Sequence, residues 1–89
     1  SAEDLLLELT RHAGKASHAM ILGHYPALEG LALQLANQGA AGAPKAMKQK
    51  FPTAALAVIS FPCPSWTEIR GGGRLERFVT PKLLNSARI

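Results

Sequence analysis

Ala19-Met20-Ile21-Leu22-Gly23-His24-Tyr25-Pro26 is the stretch on which the fold of this chain turns. A short apolar run that meets a glycine predicts a buried strand over 18–22, ending at a tight turn. Pro26 suits the first position of a helix, because its fixed φ matches and its missing N–H would have no partner there. Leu28, Leu31, Ala32, Leu35 and Ala36 then mark one apolar helical face, and Gly39 is placed to close that helix. Open α/β sheets bind ligands beyond the carboxyl ends of their strands, and a helix starting at Pro26 aims its positive dipole at the same spot. His24 stands at that mouth. The dipole favours a neutral imidazole able to donate one hydrogen bond to a phosphoryl oxygen, whereas a bound dianion favours imidazolium. Either form stabilises charge on a transferring phosphoryl group. Spacing alone does not decide the role, since a lone histidine at a strand end is more often a structural hydrogen-bonding residue.

Upstream, Ala2, Leu5, Leu6 and Leu9 fall at helical spacing, with Glu3 and Asp4 in the first turn, which predicts a helix over 2–12. Gly14 stops it, and 14–17 connect to the strand. Downstream, 39–44 reads as a loop, 46–50 as a helical turn ended by Pro52, and 54–61 as a strand covered on both faces. Residues 62–65 break that strand and Gly71, Gly72 and Gly73 form a turn. A last short strand over 75–79 then pairs with it antiparallel, followed by a terminal segment past Pro81. No internal repeat is visible. A strand followed by a helix, with helices enough to cover a sheet on two sides, implies an α/β layered domain.

The 89 residues, 47% hydrophobic and 18% charged, have the composition of one globular domain or part of one. At this size only about two thirds of the unfolded chain's surface is buried, so a partner or further segment is expected to add stability. The net charge of +4 suits phosphate, and by itself suits nucleic acid or acidic proteins equally well. Lys45, Lys48, Lys50, Arg70, Arg74 and Arg77 lie in two regions without interleaved aromatics. That pattern favours a solvated face over a nucleic-acid interface. A single cysteine, Cys63 between two prolines, excludes an internal disulfide and points to a reducing, cytoplasmic setting rather than to catalysis or metal binding. No apolar run reaches the roughly 18 residues of a membrane span, and no leader pattern opens the chain. Opening on Ser1 rather than methionine, the chain is expected to be part of a longer protein. The histidines, cysteine and carboxylates show no ligand spacing, so neither metal nor cofactor is expected.

Ile21-Leu22-Gly23-His24-Tyr25-Pro26 with Leu28-Glu29 resembles the L-V-G-H-N-P-x-L-E segment of SixA-type phosphohistidine phosphatases, members of the histidine phosphatase (phosphoglycerate mutase-like) superfamily. Phe51-Pro52-Thr53-Ala54-Ala55-Leu56-Ala57-Val58 is similar to the family's F-P-T-x-A-L-x-V strand, and Trp66 to the tryptophan that follows it. Gly73-Arg74-Leu75 and Phe78-Val79-Thr80-Pro81-Lys82 with Leu84 are similar to its closing stretch. Each piece is unspecific; four in register over nearly the whole chain are not. The principal departure is Tyr25, where asparagine is usual.

The resemblance implies that residues 1–89 are the C-terminal portion of a single histidine phosphatase domain, a three-layer α/β/α fold lacking its N-terminal first-strand segment. It implies a phosphatase acting on phosphohistidine proteins or small phosphomonoesters through a phosphohistidine intermediate. In such enzymes the nucleophile is another histidine, in an R-H-G or R-H-A motif ending the first strand, assisted by two arginines. His24 corresponds to the second pocket histidine, with Tyr25 and Thr53 as accompanying phosphate or substrate contacts. The missing strand would lie between the strand bearing His24 and the strand over 54–61, so an upstream segment or a second copy is expected to complete the sheet. Arg11-His12-Ala13 spells the nucleophile motif, yet it closes a helix instead of ending a strand, where the dipole alone explains the cations. His18 reads as a strand-edge residue. The alternative function is a non-catalytic module that binds anions or docks a partner.

Overall fold

The computed structural model describes residues 1–39, 47, 51–63 and 65–87. Helix α1 spans Ala2–His12, the expected limits. Its start is held by a capping box: the Ser1 hydroxyl accepts from the Asp4 N–H at 3.3 Å, and the Ser1 amino group donates to the Asp4 carboxylate at 3.4 Å. Arg11 and His12 fall in its last turn, complementing the dipole. Helix α2 spans Ala27–Leu35 with Pro26 as its N-cap, so it starts one residue later than the sequence suggests, and the Tyr25–Pro26 peptide is cis. It ends at Leu35, not at Gly39. Ala36 leaves the helical conformation while its N–H still bonds the Ala32 carbonyl at 2.9 Å, and the chain turns at once into β1, Gln38–Gly39. This early exit lets β1 run parallel to β3 (Arg74–Val79), pairing Gln38 with Arg74 and Gly39 with Leu75.

Strand β2, Leu56–Ser60, pairs antiparallel with β3 from Leu56–Val79 to Ser60–Arg74, with a bulge between Val58 and Ile59. The sheet order is β1-β3-β2. β2 is shorter than the expected 54–61 because a turn intrudes: Ala55 N–H donates to the Pro52 carbonyl at 3.1 Å, and Ala54 sits at φ 65°. Coverage on both faces is also corrected. Ala57 and Ile59 pack on the core, while Leu56 and Val58 are 45% and 39% exposed. The described residues thus form a mixed helix-and-strand unit in which α2 packs on one face of the sheet and α1 packs on α2.

The core has two parts. Leu6, Leu9, Leu31, Leu35 and Ile69 meet where α1 crosses α2; Ala32, Ala36, Met47 and Leu75 meet where α2 lies on the sheet. The loop expected over 39–44 and the helical turn over 46–50 fall outside the described residues apart from Gly39 and Met47, of which Met47 is helical and fully buried. Between β2 and β3 the chain forms a 3-10 helix, Trp66–Glu68, in a stretch for which the sequence suggests no element; the Ser65 hydroxyl caps it by accepting from Thr67 N–H at 3.3 Å. Gly73, after Gly72 at φ 76°, is buried and donates its N–H to the Leu35 carbonyl at 2.7 Å. Past the sheet, Pro81–Ala87 is a third helix, α3, capped by Thr80, whose hydroxyl accepts from Leu83 N–H at 3.1 Å. Among the described residues no helix is long and apolar enough to cross a membrane.

The strand expected over 18–22 does not form. Among the described residues, 17–23 make no main-chain hydrogen bond, so the apolar run has no ladder to join. Met20 and Leu22 consequently stand 75% and 85% exposed.

Candidate functional site

An open groove of about 1560 Å³ is lined by residues 14–25, which include the unpaired run, and by 51–61, which include β2. Its floor comes from the inward faces of α1 and α2, including Leu9, Leu31 and Leu35. Trp66 donates its indole N–H to the Ala16 carbonyl, which ties the connection after α1 to the 3-10 helix.

His24 lies where the unpaired run turns into α2. Its carbonyl accepts from Leu28 N–H at 3.0 Å, which fixes the backbone against the helix start, and its side chain stays exposed. No described residue hydrogen-bonds the His24 ring, so both nitrogens are available to a ligand. Tyr25, 71% exposed, follows it, and Thr53, in the turn before β2, lines the same groove. The three candidate residues therefore line one cavity, although Thr53 is far from the others in sequence. Gly23 has ordinary room for a Cβ, its nearest neighbours being Leu28 and Leu5 side-chain carbons at 3.6 to 3.7 Å. The turn does not require glycine on steric grounds.

Among the described lining residues the cationic side chain is Lys15, the carboxylate is Glu29, and there is no arginine. Such a set can orient and hydrogen-bond a phosphoryl oxygen through His24, but carries little charge to neutralise a dianion. The other histidines differ in setting. His12 closes α1 and meets the Glu8 carboxylate, Nε2 to Oε2 at 3.2 Å. His18 lines the groove, but its Nδ1 lies 3.1 Å from the Ser17 hydroxyl. No group of three or more His, Cys, Asp or Glu gathers as a metal site among the described residues. Cys63 is half-buried, with its thiol directed at the Ser65 carbonyl at 3.5 Å.

Comparison with family models, curated proteins and solved structures finds no match to this chain. The sequence signal that led to His24 was the turn between an apolar run and a helix. Sequence offered no signal for Lys15, which reaches the groove only through the folding of the connection after α1; Glu29 lies in the first turn of α2, within the segment that carries the resemblance.

Proposed function

We propose that the chain is the C-terminal portion of a cytoplasmic histidine phosphatase that removes phosphate from phosphohistidine proteins or small phosphomonoesters through a phosphohistidine intermediate. His24 holds the phosphoryl group and stabilises its charge; Tyr25 and Thr53, which line the same groove, contact phosphate or substrate. The nucleophilic histidine and the arginines come from an upstream segment or from a second copy, completing the sheet as well as the pocket. The observation that carries the reading is an exposed histidine with an unengaged ring, at a turn into a helix, in one groove with Tyr25 and Thr53.

The lack of arginine among the described lining residues favours a second reading, a non-catalytic module that binds anions or docks a partner. Activity separates the two. The 89-residue chain alone is expected to show no turnover of an aryl phosphate, because the intermediate has no nucleophile. In the complete protein, His24→Ala is expected to lower turnover by about 100- to 1,000-fold, as when one positioned donor to developing charge is lost. His12→Ala should change little. Full activity in the His24 variant, or its loss in the His12 variant, contradicts the assignment; a complete protein without turnover favours the module.

A further inference from the structure

We propose that a smaller cavity, outside the His24 groove, binds a free α-amino acid with a small apolar side chain. This stands apart from any phosphatase chemistry.

The cavity, of about 180 Å³, lies where α1, α2 and the residue two positions past the 3-10 helix meet, and is lined by Glu3, Leu6, Leu7, Thr10, Gln34 and Arg70. None of these lines the large groove. Arg70 is held in place: its Nη1 donates to the Thr67 carbonyl at 3.2 Å and to the Ile69 carbonyl at 2.7 Å, and its own carbonyl accepts from Gln34 Nε2 at 3.3 Å. Closing the 3-10 helix accounts for the Thr67 bond. It leaves over the Nε and Nη2 edge of the guanidinium, which meets a carboxylate through two parallel bonds. Among the described residues neither Arg70 nor Glu3 pairs with an opposite charge, although both line one small cavity.

The other polar groups of the lining select the ligand. Thr10 donates its hydroxyl proton to the Leu7 carbonyl at 3.1 Å, so towards a ligand its oxygen accepts; Gln34, whose amide nitrogen serves Arg70, keeps its amide oxygen as an acceptor. Together with the Glu3 carboxylate these suit an ammonium, which has three N–H donors, while the Arg70 edge suits a carboxylate. An α-amino acid carries both groups on one carbon. A simple anion such as phosphate meets repulsion from Glu3, and a metal cation meets it from Arg70. Leu6, buried, and Leu7, 51% exposed, offer apolar contact to a side chain. The volume, equal to about six waters of roughly 30 Å³ each, restricts the ligand to a small amino acid such as valine.

The test titrates the isotope-labelled complete protein with L-valine and with two analogues that each lack one charge: isobutylamine, without the carboxylate, and isovalerate, without the ammonium. L-Valine should give saturable NMR shifts at Leu7, Thr10, Gln34 and Arg70 with a Kd on the order of 1 mM, as expected of a small ligand on an open site. Both analogues should bind at least about tenfold more weakly, because each leaves one end of the lining unmet. Glu3→Gln, at an exposed position in the first turn of α1, should weaken valine by about tenfold and leave isovalerate no weaker than before. Arg70→Gln should weaken valine and isovalerate alike. No saturable shift at high millimolar valine overturns the proposal. So does isovalerate binding as tightly as valine, or valine binding unchanged by Glu3→Gln, since either makes the cavity a simple anion site. A negative result here leaves the His24 assignment standing, and an inactive complete protein leaves this one standing.

Discussion

The packed side of the molecule and the groove side are built from the same kinds of residue, and only one of them closes. On the packed side Leu6 and Leu9 of α1 meet Leu31 and Leu35 of α2, and each is 8% exposed or less. On the groove side Met20, Leu22, Leu56 and Val58 are as apolar, yet all remain exposed. The helices satisfy their main chains internally, so their leucines need only a facing surface. The 18–22 run and the outer edge of β2 each need another main chain. Apolar content sets what could be buried; main-chain partnership decides what is.

That contrast can be broken first in the core. Leu31→Ala should cost about 2 to 5 kcal/mol, since a buried leucine leaves a cavity that two helices cannot refill. Met20→Ala should stay within about 0.5 kcal/mol, the range of surface substitutions. Urea denaturation of both variants compares the two sides directly; similar losses would mean that the groove is closed in solution. Gly73→Ala sharpens the packed side. An added Cβ would lie 2.5 Å from an Ile59 carbon, 2.6 Å from Phe61 and 2.7 Å from the Leu35 carbonyl oxygen, which is backbone and cannot swing away. Overpacking of this kind costs about 1 to 3 kcal/mol, read as a lower denaturation midpoint with an unchanged slope.

The smallest effect belongs to the start of α1. Hydrogen bonding to the Ser1 hydroxyl, then the bond to and charge of the Ser1 amino group, hold the Asp4 carboxyl below the usual aspartate range. A depressed folded-state value means that the stabilisation is present above the unfolded value and is lost as pH falls through the folded one. Fraying of the first turn should therefore increase only in acid, below the ordinary aspartate range, and Asp4→Asn should remove the dependence. Amide exchange at the first turn, followed from neutral pH downward, checks it. The site is fully exposed, so global stability should hardly register the change.

Helices α1 and α2 were legible because their signals are local: apolar spacing, acidic residues in the first turn, a proline at the start. The β2–β3 pair was legible as two runs across a glycine turn. Where the reading missed, distant partners decide. The 18–22 run has a strand's composition, but no composition states whether an edge lies within reach. β2 was read as covered on both faces because Leu56 and Val58 are apolar, which hides the alternation that Ala57 and Ile59 reveal in the structure. The 3-10 helix at Trp66 was obscured by the prolines before it, although Ser65 is a fair cap. At α3 the start signal is local: the Thr80 hydroxyl caps the helix and Pro81 takes its first position. Of the candidate site, His24 was legible from its turn. Thr53 entered only by resemblance, since nothing in its spacing brings it to the groove that His24 lines.

The most direct test of the account compares His12, His18 and His24 within the complete protein, where the pocket has its arginines. Their imidazole resonances are assigned by NMR and followed while orthovanadate, a tetrahedral phosphate analogue, is added. The account predicts that His24 shifts and saturates, while His12, engaged by Glu8, and His18, beside Ser17, stay in place. Movement of His12 without His24, or parallel drift of all three, would contradict it.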